Sequence, residues 1–134
     1  MTDADLGDES AEHEGVVASA VEVAPLDVVE ALLAGDPASV FSQRELAYAR
    51  ARVDPERRLA ARLCAKRAAA RALGGEVTLD DVEVVRGEHG PPWLRLSARA
   101  RARLARLGAA RALVSLTHER RHAAALVLLV RDPG

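Results

Sequence analysis

Residues 54–75, DPERRLAARLCAKRAAARALGG, predict one long helix with both of its ends marked. Asp54 can cap the start, and Pro55 suits the first helical position, where the missing N–H of proline is not needed. Gly74 or Gly75 can take the left-handed conformation that often follows a helix. We therefore expect nearly all of this stretch to be helical and to form the centre of the fold.

The predicted helix has an apolar face and a separate basic pair. Its apolar residues fall near one face and are Leu59, Leu63, Ala70 and Leu73. Arg62 and Lys66, four residues apart, lie together on another face. Lys66 is the only lysine in a chain with 19 basic residues, which suggests a demand for a compact point charge. The alternative for this pair is a solvated helix face.

The residues before this helix predict a strand and two short helices. Residues 16–29 are rich in β-branched side chains, interrupted at Pro25, and are consistent with a strand. A short helix over residues 30–33 is expected to follow. Ser42 precedes Glu45 by three residues, which is the capping-box spacing, so a second helix is expected to begin at Ser42.

The residues after the long helix predict two strand pairs with a helix between them. Ser97 can cap this helix, which is rich in Ala, Arg and Leu and ends near Gly108. Polar or Gly-Pro turns join each pair of strands. The predicted pairs are residues 82–85 with 93–96, and residues 112–117 with 123–130. We therefore predict an α+β fold, with antiparallel strands packed against a long central helix.

Length and composition limit the remaining possibilities. The chain has 134 residues, enough for one domain, which we place at residues 16–131 after an acidic tail predicted to be disordered over residues 1–15. Aromatic residues make up 2% of the chain, so Ala, Leu and Val must form the core, and oligomerisation would add buried area. The net charge of −1 gives no global attraction to nucleic acid.

The cysteine and hydropathy patterns bear on the cell compartment. Cys64 is the only cysteine, which excludes an intramolecular disulfide and a cysteine-based metal cluster. No stretch approaches the roughly 20 apolar residues that a transmembrane helix needs, and the acidic N-terminus lacks the basic start of a secretory signal. We therefore expect a cytoplasmic protein with no membrane segment and no nucleic-acid partner.

Four segments together resemble a known enzyme family. They are LDVVE at residues 26–30, FSQRELAY at 41–48, LAARLCAK at 59–66 with ALG at 72–74 behind it, and SLTH at 115–118. In order and spacing this set is similar to the holo-acyl-carrier-protein synthases, the small type of 4′-phosphopantetheinyl transferase. The resemblance covers about residues 21–130 and implies the fold of that family.

The resemblance also implies a reaction and an assembly. These enzymes transfer the 4′-phosphopantetheine arm of coenzyme A to a serine hydroxyl of an acyl carrier protein, in fatty-acid or polyketide biosynthesis, and release 3′,5′-ADP. Such phosphoryl-type transfer calls for a divalent cation, here Mg²⁺, for basic groups on the phosphates and for a base at the serine. The family's coenzyme sites lie between neighbouring subunits, so a homotrimer is expected.

The resemblance gives the catalytic and metal-binding candidates. Asp27 matches the metal-binding aspartate at the end of the first strand, and Glu30 matches a second acidic position. Where the family reads Lys-Glu-Ala, this chain reads Lys66-Arg67-Ala68. Because arginine has donors only, Arg67 cannot ligate Mg²⁺. We expect it to pair with Asp27 or with a pyrophosphate oxygen, the alternative being a side chain that points to solvent.

The coenzyme-binding candidates follow from the same match. Arg62, Lys66 and Arg71 match basic positions that face the coenzyme, and His118 matches the end of the Ser-x-Ser/Thr-His strand. Without the resemblance, a lone histidine at a strand end would be read as structural. Leu33 stands where the family commonly has a basic residue, so one contact with the partner or the coenzyme is expected to be lost.

Two functional hypotheses remain open at this point. In the first, the chain is an active transferase that tolerates Arg67, with the coenzyme pyrophosphate and waters completing a weakened Mg²⁺ site. In the second, it is a pseudoenzyme or a repurposed enzyme that binds the carrier protein or its tethered intermediates. The altered site counts against simple inheritance of activity, because function depends on the site and not on the fold.

Overall fold

The computed structural model describes residues 15–86 and 89–132, so the predicted acidic tail lies outside the described residues except for Gly15. The helices and strands follow one another in the order β1 Val16–Pro25, α1 Leu26–Ala34, α2 Gln43–Arg50, α3 Pro55–Leu73, β2 Val82–Val85, β3 Trp93–Leu96, α4 Ala98–Arg106, β4 Arg111–His118 and β5 His122–Val130. Single 3-10 turns lie at Pro37–Ser39 and Leu79–Asp81. The predicted α+β class is confirmed.

The strands form two antiparallel sheets. Three strands lie in the order β1-β5-β4, and β2 pairs with β3 in a separate hairpin. In the larger sheet Leu126 of β5 pairs with Val21 of β1 on one side and with Ser115 of β4 on the other. One face of this sheet packs on α3, and the other face is open in the single chain, where Val23 is 62% exposed.

Helix α3 is the centre of the core, as the sequence predicts. Leu59, Leu63 and Leu73 are buried, and Gly74 adopts a φ of 67°, which ends the helix in the left-handed region. The predicted cap at Asp54 is wrong in its detail. The Asp54 carboxylate does not cap the helix but accepts a hydrogen bond from Nε of Arg58 at 3.1 Å.

The boundary between β1 and α1 lies earlier in the chain than predicted. The strand ends at Pro25 and the helix begins at Leu26, so Val28 and Val29 are helical although they continue the β-branched run. Proline cannot donate to the next ladder hydrogen bond, and Val29 is fully buried in its helical position. Tertiary packing therefore overrides the weak strand preference of these valines.

The other predicted elements are confirmed. Ser42 and Glu45 form both hydrogen bonds of a capping box at the start of α2. Ser97 Oγ accepts a hydrogen bond from the N–H of Ala100 and caps α4. Both predicted strand pairs form.

No helix within residues 15–86 and 89–132 is long and apolar enough to cross a membrane.

Candidate functional site

Arg62 is a buried cation on the central helix. Its guanidinium carbon lies 4.1 Å from the centre of the Tyr48 ring. The residue is only 2% exposed, and among the described residues Nε of Arg62 is the one buried side-chain nitrogen or oxygen without a hydrogen-bond partner. Burial lowers the pKa of Arg62, an effect that Tyr48 and Glu45 oppose.

Arg62 lines a basic pocket, which we call the arginine pocket. It has a volume of about 310 Å³ and is lined by Arg58, Arg62, Arg86, His118 and three small or apolar neighbours. No carboxylate lines it. A pocket that gathers three guanidiniums and an imidazole, one of them with an unpaired N–H, suits a multiply charged anion such as a phosphate.

Asp27 and Glu30 lie in a second cleft, which we call the acidic cleft. They are three residues apart on the first turns of α1, directly after β1, and both are exposed. The cleft has a volume of about 380 Å³ and is also lined by Arg120, Arg121 and His122 from the turn between β4 and β5. Neither carboxylate takes part in a salt bridge among the described residues.

Lys66 is held in a buried ion pair. It is 2% exposed, and Nζ donates to Oε1 of Glu45 at 2.6 Å. The other Glu45 oxygen accepts the backbone N–H of Val84 at 2.8 Å, so the pair joins α2, α3 and β2. Lys66 also lines a cavity of about 340 Å³ between the segment just before α2, at residues 38–42, and the β2–β3 hairpin. Asp80, Asp81 and Glu83 also line this cavity, and three carboxylates oppose the binding of a phosphate beside Nζ.

Arg67 is exposed and has no salt bridge with Asp27 in the single chain. It lies close enough to Cys64 to lower the pKa of that thiol, against a larger raising effect of burial. Cys64 donates to the carbonyl oxygen of Ala123, the residue after His122 of the acidic cleft. Arg67 follows Cys64 by three residues, so helical spacing places the two side chains near the same side of α3.

Arg71 is one helical turn beyond Arg67 and contacts the edge strand. Its guanidinium forms a salt bridge with Glu22 of β1 and donates to the carbonyl oxygen of Val21. The predicted coenzyme contact of Arg71 would have to compete with these two partners.

The structure thus brings the predicted residues together in two groups. Arg62 and His118 share the arginine pocket, and Asp27 and Glu30 share the acidic cleft. Lys66, Arg67 and Arg71 line neither of them. Burial of Arg62 and Lys66 excludes a solvated helix face for both.

Sequence reasoning missed two arginines of the pocket. Arg58 precedes Arg62 by four residues, so helical spacing already places the two side chains on the same face of α3. Arg86 follows β2 near the hairpin turn, and nothing in its local sequence relates it to α3. Only the tertiary packing of the hairpin brings it there.

Comparison with known proteins gives a consistent set of relatives. A holo-acyl-carrier-protein synthase of Anaeromyxobacter sp. (strain Fw109-5) is 46% identical over 124 residues, covering 86% of this chain and 93% of that protein. One from Anaeromyxobacter sp. (strain K) is 43% identical over 118 residues, covering 78% and 91%.

Solved structures agree in fold. A holo-(acyl-carrier-protein) synthase from Bacillus anthracis, in complex with CoA (3′,5′-ADP), superposes with a TM-score of 0.72 at 22% identity, covering 88% of this chain and 99% of that one. No protein-family model matches the chain.

Proposed function

Because the chain belongs to the holo-acyl-carrier-protein synthase family, we propose that it transfers 4′-phosphopantetheine from coenzyme A to a serine hydroxyl of an acyl carrier protein. In this reaction the serine Oγ forms a bond to the pantetheine-side phosphorus of the pyrophosphate. The bond from that phosphorus to 3′,5′-ADP breaks, and the hydroxyl proton is lost to a base. Catalysis of this kind depends mainly on positioning and on charge stabilisation.

The arginine pocket is the observation that carries this proposal. Coenzyme A bears a 3′-phosphate and a pyrophosphate, and the pocket offers Arg58, Arg62 and Arg86 beside His118. The unpaired Nε of Arg62 needs an acceptor, because a buried donor without one costs about 1–3 kcal/mol. A bound phosphate oxygen would supply it. Stacking on Tyr48 holds the guanidinium in place before the ligand arrives.

The family also implies a magnesium ion, which we assign to the two carboxylates of the acidic cleft. Mg²⁺ is commonly held by one or two carboxylates together with waters and substrate phosphate oxygens. Asp27 and Glu30 supply two carboxylates in one cleft, and no group of three acidic, histidine or cysteine ligands occurs among the described residues. When bound, the ion would neutralise charge on the pyrophosphate. The role of Asp27 and Glu30 is to hold it there.

Arg67 takes a different role from the glutamate that the family resemblance implies at this position. We assign its guanidinium to a pyrophosphate oxygen, because it is exposed, has no acidic partner within 4.0 Å among the described residues and follows by one helical turn Cys64, which contacts Ala123 beside the cleft. There it would add positive charge where the developing negative charge needs it. Arg71 would approach the same anion from the edge of β1, whereas Lys66 lines a different cavity and would act by holding α2 and α3 together through its buried pair with Glu45.

Assembly as a homotrimer would bring together the two parts of the proposed site, which are the arginine pocket and the acidic cleft. The open face of the larger sheet exposes apolar side chains on neighbouring strands, namely Val21, Val23 and Leu126. Such a face favours burial against another copy. A neighbouring copy could then bring its arginine pocket to the acidic cleft of the first, so that one coenzyme spans both.

The experiment that tests the proposed function measures 3′,5′-ADP by chromatography. The chain is incubated with coenzyme A, Mg²⁺ and an apo acyl carrier protein. We expect ADP release that requires the carrier protein and disappears when its acceptor serine is changed to alanine. Release that does not depend on the serine would contradict transfer, because it would be hydrolysis of the coenzyme.

A second candidate function is a family member that binds coenzyme or carrier protein without transfer. Arg67 is the observation that favours it, since this residue cannot replace a carboxylate ligand. The substitution Arg67→Glu separates the two candidates, and Arg57→Glu on the same helix is its matched control. If only the metal site is impaired, Arg67→Glu raises Mg²⁺-dependent ADP release and lowers the Mg²⁺ concentration needed for coenzyme binding. No gain in either would mean that other determinants of transfer are also missing.

A further inference from the structure

Tyr48 contacts two guanidiniums at the arginine pocket. The guanidinium carbon of Arg62 lies 4.1 Å from the centre of its ring, and that of Arg52 lies 4.3 Å from the same point. Arg52 is exposed and has no acidic partner within 4.0 Å among the described residues. Tyr48 therefore joins a buried guanidinium that lines the pocket to an exposed one that does not.

The neighbours that act on Arg62 through their charge are Tyr48, Glu45 and Arg86. The two oxygens of Glu45 already accept hydrogen bonds from Nζ of Lys66 and from a backbone N–H of β2. Arg86 repels Arg62, and an arginine in a protein does not lose its proton. Of these three neighbours, the Tyr48 phenol is therefore the one whose charge can change in alkaline solution.

The arginines around Tyr48 favour its ionised form. Burial alone would raise the pKa of the phenol, but the positive charges of Arg52, Arg62 and Arg58 outweigh burial and lower this pKa below its ordinary value. His118 of β4 lines the same pocket as Arg58 and Arg62. Two guanidiniums that a phosphate in the pocket would bind therefore also stabilise a phenolate at Tyr48.

A phosphate in the pocket and a phenolate at Tyr48 would compete for the same positive charge. Nε of Arg62 is buried without a hydrogen-bond partner and needs an acceptor. A phosphate that accepts from this N–H brings negative charge close to the phenol, which makes loss of the phenol proton less favourable. Thermodynamic linkage then requires the anion to bind more weakly when Tyr48 is ionised.

We propose that anion binding in the arginine pocket is linked to the protonation of Tyr48, because the phenol and the bound phosphate share Arg62. While the phenol is protonated, its ring holds the guanidinium and the positive charge is left to the anion. Once the phenol is ionised, part of that charge is neutralised from within the protein. Tyr48 is thus a positioning residue that also sets the affinity of the pocket. This inference rests on the proposed function only in assigning the pocket to a phosphate.

Tyr48 is the only tyrosine of the chain, so the ultraviolet absorption of tyrosinate reports on this residue alone. The experiment titrates the full-length chain with base, once in saturating inorganic phosphate and once in sodium chloride of equal ionic strength. We expect phosphate to move the midpoint of the titration to higher pH. In calorimetry, phosphate should bind about tenfold more weakly to the ionised form, which is the effect of one charge about 10 Å away at an effective dielectric constant of about 20.

Matched variants locate the effect. Arg62→Gln should abolish the shift that phosphate causes, whereas Arg57→Gln on the same helix should retain it. Tyr48→Phe keeps the ring but has no proton to lose, so its affinity for phosphate should not fall through the alkaline range. Tyr48→Leu also loses the stacking on Arg62 and should bind phosphate about fivefold more weakly than Tyr48→Phe does.

Three results would overturn the linkage. A midpoint that phosphate leaves unchanged, although calorimetry shows binding, would mean that Tyr48 and the anion do not share Arg62, and the proposed transfer reaction would be unaffected. A shift that persists in Arg62→Gln would place the anion elsewhere. Failure of the original chain to bind phosphate would overturn both the linkage and the assignment of the arginine pocket to the coenzyme. Conversely, the expected shift in a chain without transfer activity would support the linkage and contradict only the proposed reaction.

Discussion

Arg62 combines burial, aromatic stacking and an unpaired donor, so it is the residue on which the proposed coenzyme site most depends. Its replacement by glutamine removes a charge-assisted contact to phosphate worth about 1.5–3 kcal/mol. We predict that Arg62→Gln weakens binding of coenzyme A by about 10- to 100-fold in calorimetry.

Two companion variants make this prediction specific to the arginine pocket. Arg57 lies on another face of α3, so the variant Arg57→Gln should bind coenzyme A as the original chain does. Arg62→Lys keeps the charge but loses the planar stack, so its affinity should fall between the two. Unchanged affinity in Arg62→Gln, with an unchanged melting temperature, would remove the arginine pocket from the coenzyme site.

The pair of Lys66 and Glu45 makes a prediction about stability. Removing one partner leaves the other charged and buried, which costs about 3–5 kcal/mol. We predict that Lys66→Met lowers the free energy of unfolding by this amount in urea titrations. The double variant Glu45→Gln/Lys66→Met should recover a large part of the loss. Additive losses in the double variant would show that the two residues act independently.

At the residue scale, the sequence was informative where a motif and helical spacing coincided. The resemblance predicted that Arg62 and His118 lie near one ligand, and both line the arginine pocket, whereas Lys66, predicted to lie beside Arg62, lines a different cavity. The sequence could not show that Glu45, already explained by its capping box, also neutralises Lys66 across 21 positions. It also could not show Arg86, because its position depends on how the hairpin packs.

At the element scale, Asp81 ties the β2–β3 hairpin to α4. Its carboxylate accepts hydrogen bonds from the Thr78 N–H, from Ser97 Oγ and from Arg99. The Thr78 N–H is the largest cause that lowers the pKa of Asp81 from 3.8 to about 2, followed by Ser97 Oγ and Arg99. The folded chain therefore binds this proton less readily than the unfolded chain does.

This lowered pKa predicts a pH dependence of stability. The contribution of Asp81 is fully present above about pH 4 and is lost as the pH falls towards about 2. Urea titrations at pH 6 and at pH 3 should show this loss. Because other carboxylates titrate in the same range, Asp81→Asn isolates the effect, and its stability should fall less between the two pH values. An equal fall in both proteins would contradict the assigned pKa.

The sequence predicted most elements because their ends carry strong local signals. Ser42, Ser97 and Gly74 each mark an end that the structure confirms. The boundary at Pro25 was missed because the valines after it favour a strand locally, whereas packing of Val29 against the core favours a helix. A local pattern cannot include that tertiary contact.

At the scale of the whole molecule, the open sheet face makes a prediction about assembly. If this face is the subunit interface, Val23→Glu should convert a trimer into smaller species in sedimentation velocity, because it buries an unpaired charge. Val53 is fully exposed in the loop between α2 and α3, so Val53→Glu is the matched control and should leave the assembly intact. A Val23→Glu chain that stays trimeric would place the interface elsewhere.

The central claim is that this chain transfers phosphopantetheine although Arg67 stands where the family resemblance implies a carboxylate. Intact-mass spectrometry of several apo acyl carrier proteins, incubated with the chain, coenzyme A and Mg²⁺, tests it most directly. The proposed function predicts that at least one carrier protein gains the mass of a single phosphopantetheine arm. No gain in any of them, while a known transferase modifies the same samples in parallel, would contradict the claim and favour a family member that binds without transfer.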